Sequence, residues 1–394
     1  MSVTGATYSS RMPSGTTDLA PDAARRLRLR THGLALPADG PSSTTPADVV
    51  RRMVALQGQD LPAVLRAIAV RSRPGTTMDD VRAAFDGGEL VRGWTQRGTL
   101  FATTPRNLAA LVSLTGERVT HLGRRVREAE GLDDALVDRA EKITREVLAV
   151  SDGFTRAEMI DLWQQAGVPI EGQRGYHLIV TLALRGVLHW GPFAGAQQKM
   201  VASPGAGGSG GTVGVAGGPA DEPDAALRRI ARSYFASRGP ATVDDLAWWL
   251  GLPKTPVRAA VATLRETEPD AVGDVTVDGN MMLVGRAADG PAAGVAPERL
   301  PGLDEPCGVL LVPGFDEIVL GYQDRDLVAD AEAMRTVVPF TNGIFRPAVL
   351  LDGRLVGTWR RAPKAGEAPY ELVPGIAGPA RTAVEQAVAA WPLG

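Results

Sequence analysis

A pattern of helix, turn, helix and β-hairpin recurs three times along this 394-residue chain, and the repetition constrains the fold more than any other feature. The second copy is the plainest. Thr155-Arg156-Ala157-Glu158 has the form of a capping box, in which a hydroxyl and a carboxylate three residues on each satisfy the other's free backbone N–H. It predicts a helix to Ala166, a turn at Pro169, a helix from near Arg174 to Arg185, and the strand Val187-Leu188-His189-Trp190. The third copy opens at Thr242-Val243-Asp244-Asp245 and turns at Gly251-Leu252-Pro253. A helix from Pro256 to about Glu266 follows, and Asp278-Gly279 makes a hairpin turn between alternating residues. In the first copy, Thr45, Pro46 and Asp48 start a central helix, residues 63–70 give a second apolar element, helix or strand, and Thr77 to Asp80 cap a third. Leu90 to Thr103 then has the alternation of a strand or hairpin. This is the winged-helix pattern, whose usual job is to set one helix in the DNA major groove while the wing touches backbone.

The segments between the copies complete the organisation. Residues 1–20 carry no periodicity and are expected to form a disordered tail, and a helix should begin at Asp22 and stop near Gly33. Residues 203–220 read as a flexible Gly-rich loop, with neither the Gly-Lys-Ser/Thr ending nor the strand-to-helix setting of a phosphate cradle. After Gly302 come strand-like runs with a turn at Asp352-Gly353 and a last helix from about Pro379 to Ala390. The expected fold class is α+β. Winged helices would occupy residues 21–125, 126–202 and 223–300, with a loop at 203–222 and a mainly β domain at 301–394.

Composition narrows the function classes. Lone Cys307 excludes an internal disulfide framework, and His32, His121, His177 and His189 lack metal-ligand spacing, so neither a metal site nor a cofactor is expected. No apolar run has membrane-spanning length and the first residues lack a signal-peptide core; a cytoplasmic, nucleoid-associated protein is expected. A net charge of −3 argues against indiscriminate binding to nucleic acid. The cations are nevertheless clustered, at Arg25 to Arg30, Arg51–Arg52, Arg71–Arg73, Arg124 to Arg127 and Arg228 to Arg232, which allows a basic face on an acidic chain. No zipper or other dimerisation helix is visible, and a monomer is expected.

Within the first copy, V-V-R-R-M-V-A-L-Q-G-Q-D from Val49 to Asp60 holds the residues best suited to chemistry. Val50, Met53, Val54 and Leu61 share a helical stripe that Gln57 joins, so an amide occupies an apolar position, and Gly58 is placed to end the helix. If the chain leaves the helix there, Gln57 and Gln59 point into the same space, as residues two apart do in extended backbone. The plainer reading is a last helical turn with one exposed glutamine and one satisfied, half-buried one.

Leu56 to Asp60 (L-Q-G-Q-D), Trp94 to Leu100 (W-T-Q-R-G-T-L), Glu171 to His177, Trp248 to Pro253, Pro313 to Arg325 (P-G-F-D-E-I-V-L-G-Y-Q-D-R) and N-G-I-F-R-P with D-G-R-L-V-G-T-W-R-R resemble the AlkZ-like winged-helix DNA glycosylases, in the same order and from about Leu27 to Arg361. The resemblance implies a C-shaped array of three tandem winged helices with a C-terminal β domain. It also implies a partner, duplex DNA with alkylated bases, and hydrolysis of the N-glycosidic bond of bulky or crosslinked alkylpurines. The family's glutamine-any-glutamine motif falls on Gln57 and Gln59.

The chemistry is consistent with those residues. A purine alkylated at N7 or N3 is a cationic leaving group that needs no general acid, so the barrier lies at C1′, where oxocarbenium character develops and water must attack. A neutral amide can accept from that water and donate to sugar or phosphate oxygens, holding the nucleophile in line. Asp60 is a possible electrostatic support, or else a turn residue. Arg51, Arg52, Arg97 and Thr99 are candidate DNA contacts, with structural salt bridges the alternative for the arginines. Asp316, Glu317 and Asp324 read as structural or interface residues, with a second catalytic pair as the alternative. A lyase would need an amine, and Lys142, Lys199, Lys254 and Lys364 lie outside the motif. The competing function is a winged-helix DNA-binding protein without catalysis.

Overall fold

Threonines set where the helices of each repeat begin. Thr45, Thr77, Thr155 and Thr242 each cap a helix through a reciprocal box with an acid three residues on. In the computed structural model, which describes residues 16–35, 44–203, 222–286, 303–340, 343–361 and 366–392, these caps organise a mixed α+β fold. The Gly-rich loop lies almost wholly outside the described residues, as does the tail up to residue 15.

The chain starts with strand β1 (Thr17–Leu19) and helix α1 (Pro21–Thr31). The first repeat comprises α2 (Pro46–Met53), β2 (Ala55–Gln57), α3 (Leu61–Ala69), α4 (Met78–Asp86) and the hairpin β3 (Val91–Trp94) and β4 (Leu100–Thr103), joined through a 3-10 turn at Gln96–Gly98. Helices α5 (Pro105–Leu122) and α6 (Arg124–Ala129) lead to the second repeat: α7 (Asp134–Leu148), α8 (Arg156–Gln165), α9 (Arg174–Leu184), β5 (Leu188–Ala194) and β6 (Gln197–Ala202). The third holds α10 (Pro223–Arg238), α11 (Val243–Leu250), α12 (Lys254–Thr267), β7 (Val272–Val277) and β8 (Asn280–Gly285). The C-terminal region adds β9 (Val309–Val312), α13 (Glu317–Leu320), α14 (Ala331–Val337), β10 (Ala348–Leu351), β11 (Arg354–Trp359), β12 (Tyr370–Leu372) and α15 (Gly378–Ala389).

One pairing recurs that no sequence pattern announces. Between the first two helices of each repeat, a short extended segment bonds to the second strand of the hairpin: β2 to β4, Phe154 to Met200, and Ala241 to Leu283. The repeats are thus consistent with winged-helix units. Arg92 pairs with Trp190, so the hairpins of the first two repeats fuse into one sheet of order β2-β4-β3-β5-β6. The third hairpin takes β1 as a parallel partner, with Thr17 opposite Val275, so the tail expected through residue 20 gives way to a strand at Thr17. The C-terminal sheet has the order β12-β11-β10-β9.

Each repeat has its own core: Met53, Ile68 and Phe85 in the first, Trp163, Leu178 and Ile179 in the second, Tyr234, Phe235 and Trp249 in the third. Burying each large apolar side chain contributes about 1.5–3 kcal/mol, and hairpin residues such as Ala102, Met200 and Leu283 join these cores, so helices and hairpins are anchored together.

The central helix departs from expectation. It ends at Met53, Val54 turns the chain with φ 64° and ψ −55°, and Ala55 to Gln57 run as a strand against Thr103 to Phe101. Strand pairing satisfies the backbone that helix propensity would have used, so Gln57 stands on a sheet edge. Helices α5, α7 and α10 were also missed, although Thr104-Pro105 and Asp133 begin α5 and α7 with legible caps.

Candidate functional site

The site begins with the turn that delivers β2. A β-branched residue at φ 64° costs about 1–3 kcal/mol and persists only where its surroundings over-determine it. Here they do. Arg238 donates to the carbonyls of Met53 (2.9 Å) and Ala55 (2.8 Å), and the Val54 carbonyl accepts from Thr103 Oγ1 (2.6 Å) and Asn107 Nδ2 (3.2 Å). Three successive carbonyls are therefore held by side chains.

Arg238 is held in turn by Glu317 at 2.8 Å, with both side chains fully buried. The same carboxylate accepts from Trp249 Nε1 at 3.0 Å, and its other oxygen accepts from the backbone N–H of Gln57 at 2.9 Å. Asp316, beside it, is fully engaged by Arg71 in a buried two-point pair at 2.8 and 2.6 Å. Both acids are enclosed, which removes the alternative of a catalytic pair there; Asp324 is exposed and belongs to a surface turn.

Past this clamp the two glutamines diverge in exposure and converge in contact. Gln57 is 8 % exposed, and its Oε1 accepts from Thr99 Oγ1 at 3.4 Å; Gln59 is exposed, and its Oε1 accepts from the Leu100 N–H at 3.4 Å. Their amide oxygens thus engage successive residues at the start of β4. Gly58 between them donates to Leu100 O at 2.8 Å and accepts from Arg92 at 3.1 Å. A Cβ there would sit 3.0 Å from the Ala102 backbone nitrogen, so glycine suits the crowding. Asp60 caps α3 by accepting from Ala63 N at 2.9 Å, which fits its turn reading.

The candidate cations have distinct fates. Arg51 is exposed on α2 and pairs with Asp48. Arg52 donates to the carbonyls of Thr31 and His32, and its guanidinium is pushed down to about 10 by burial, with Arg71 and Arg238 adding to the effect. Arg97 lies in the turn before β4 at φ 56°, with its guanidinium 4.5 Å from the Trp248 ring centre and burial lowering its pKa. Thr99 is spent on Gln57. Arg51 is the only one of the three arginines that is exposed; Arg52 and Arg97 are half-buried.

Beside Gln59 opens a cleft of about 350 Å³ lined by Arg92, Trp94, Arg156, Tyr176 and Trp190 among others. It lies where the fused sheet brings the first two repeats together. Among the described residues no group of His, Cys, Asp or Glu side chains is placed to hold a metal ion, and no helix is long and apolar enough to cross a membrane.

Sequence reasoning named the two glutamines and missed the residues that hold them. Arg238 and Asn107 are ordinary members of helices in sequence, whereas Trp249 and Glu317 fall inside two of the quoted motifs, Trp248 to Pro253 and Pro313 to Arg325.

Comparison with known proteins adds family evidence. Residues 50–392 match the family described as DNA glycosylase AlkZ-like. An interstrand DNA cross-link repair glycosylase from Streptomyces sahachiroi is 28 % identical over 324 residues, covering 79 % of this chain and 81 % of the relative. The solved structure of Streptomyces sahachiroi DNA glycosylase AlkZ superposes with a TM-score of 0.72 at 24 % identity, covering 95 % of this chain and 96 % of that one, a likeness of fold.

Proposed function

This chain belongs to the AlkZ-like DNA glycosylase family, and from that premise we propose that it is a monofunctional glycosylase that hydrolyses the N-glycosidic bond of alkylated purines in duplex DNA. In this reading, Gln57 and Gln59 hold the attacking water, three tandem winged helices form a C-shaped cradle for the duplex, and Arg51 contacts phosphate. The enzyme would serve base excision repair or self-resistance to a genotoxin.

The observation that carries the reading is that the two amide oxygens engage successive residues, Gln57 at Thr99 and Gln59 at Leu100, with Gln59 and Leu100 at the edge of an open cleft. An amide oxygen can accept from water while its NH2 donates to the sugar or phosphate, and neither changes charge as the oxocarbenium develops. The alkylated purine leaves as a neutral base, so no acid is required. Asp60 is committed to its helix cap, which leaves the water to the amides. No lysine lines the cleft, in keeping with hydrolysis rather than an imine route.

The test is release of free base from a duplex carrying N7-alkylguanine, followed by mass analysis. Gln59→Ala should slow release about 100-fold with DNA affinity nearly unchanged, the loss expected when a nucleophile is no longer oriented. Equal release by wild type and the Gln57→Ala/Gln59→Ala double variant would refute the site. DNA binding without release from any alkylated duplex would instead indicate a non-catalytic binding protein.

A further inference from the structure

The cleft beside Gln59 has a chemistry of its own. Its walls are aromatic: Trp94 meets Tyr176 edge-on at 6.0 Å and Trp190 at 6.4 Å. Arg92 places its guanidinium 5.8 Å from the Trp190 ring centre, and Arg156 does the same over Tyr176 at 5.7 Å. No carboxylate lines it. Among its lining residues, Trp190 and Gln198 each hold a buried polar atom, Nε1 and Oε1, with no hydrogen-bond partner among the described residues. At about 350 Å³ it lies at the lower end of the volumes typical of small-molecule sites, roughly 300–1,000 Å³.

These features disfavour the alkylated purine itself as occupant. That base is a cation until its bond breaks, and here it would meet two guanidinium groups, with no carboxylate in the lining to offset them. They also disfavour a backbone phosphate, which gains nothing from three aromatic walls. A neutral planar ring is what such walls accept, stacking on indole or phenol and lying against the flat guanidinium planes.

We infer that this cleft is a subsite for a neutral aromatic appendage carried on the alkylated purine, so that the enzyme selects bulky aryl adducts by gripping the adduct's tail while Gln59, at the cleft's edge, works at the sugar. The inference rests on the glycosylase reading above and names the class of lesion that reading leaves open.

The experiment uses two duplexes with N7-guanine adducts of equal linker length, one ending in an aryl group and one in an alkyl group. The readout is the ratio of their single-turnover release rates. Wild type should favour the aryl adduct about tenfold or more, the scale of one lost base–aromatic stack. Ala196→Trp fills the cleft from an exposed position in the turn between β5 and β6, where folding is little affected, and Tyr176→Ala removes a wall. Each should bring the ratio close to one. A wild-type ratio near one, or a ratio that survives both variants, overturns the subsite; so does equal slowing of both adducts at an unchanged ratio, which would place the purine or a phosphate in the cleft. Equilibrium binding of the same duplexes to Gln57→Ala protein, with and without Ala196→Trp, separates this inference from the catalytic one. An aryl preference abolished by Ala196→Trp supports the subsite even if no base is released, and its absence overturns the subsite even if base is.

Discussion

The backbone N–H of Gln57 donates to Glu317 Oε1 across 2.9 Å and 260 residues of sequence. Through Arg238, the same carboxylate is tied to the carbonyls on either side of the turn at Val54. The geometry of the motif in the first repeat is therefore set by residues of the third repeat and the C-terminal region. Alignment of a water to a carbon at the level of about 1 Å is worth roughly 100-fold in rate, so a residue that fixes the strand should register in turnover.

Glu317→Gln keeps an acceptor for Gln57 but leaves Arg238 buried without an anion, a change that costs about 3–5 kcal/mol in comparable cases. The expected result is a lower melting temperature together with release of alkylated base slowed about tenfold per folded molecule, at nearly unchanged DNA affinity. Single-turnover release and fluorescence anisotropy, both corrected for the folded fraction, check this. A rate that simply follows the folded fraction would mean that the clamp only stabilises.

Gly58→Ala tests the packing between β2 and β4. The added methyl would lie 3.0 Å from the Ala102 nitrogen and 3.2 Å from the Phe101 carbonyl carbon, both backbone atoms, so the strands must part. Overpacking of this kind costs about 1–3 kcal/mol, and displacement of Gln59 should slow base release. Melting and release assays should fall together. Wild-type values in both would show that the strand shifts freely.

Much of the fold was legible because it is written in local chemistry. Threonine–acid boxes begin four helices and Asp278-Gly279 turns a hairpin, each a contact between residues at most three apart. The end of α2 was not legible. Gln57 continues the apolar stripe, and nothing near Val54 reveals that Thr103, Asn107 and Arg238 will converge on that turn. The site divides in the same way. The paired glutamines and the glycine between them are a local pattern, whereas the carboxylate that anchors them arrives from a distant segment and resembled an interface acid. Arg51 and Arg52 were indistinguishable as sequence, yet one faces water and the other the carbonyls at the end of α1.

That last contrast separates recognition from stability. Arg51→Ala should weaken DNA binding to all sequences alike and reduce the slope of log affinity against log salt by about one, as loss of a single phosphate contact does. Arg52→Ala removes bonds to Thr31 and His32 and should lower the melting temperature instead, with the salt slope unchanged. Salt titrations and melts of both variants decide it. Equal salt slopes for Arg51→Ala and wild type would remove Arg51 from the DNA interface.

Stability should also depend on pH through buried histidine. Burial lowers His189 from its ordinary 6.5 to about 4, and burial, reinforced by Arg71, Arg238, Arg52 and Arg28, holds His32 well below the same value. Both rings are neutral in the folded protein where the unfolded chain binds a proton. Between pH 6.5 and 4 the unfolded state therefore takes up more protons at position 189, and stability falls as pH falls through that window. The His189 contribution is fully present above pH 6.5 and amounts to about 3 kcal/mol, lost by the time pH has dropped through the folded value. His189→Gln should be less sensitive to acid over that range, because the amide does not titrate. Thermal melts of the two proteins at intervals from pH 8 to pH 4 measure the difference, and parallel curves would show that the ring at position 189 gains its proton without unfolding the chain.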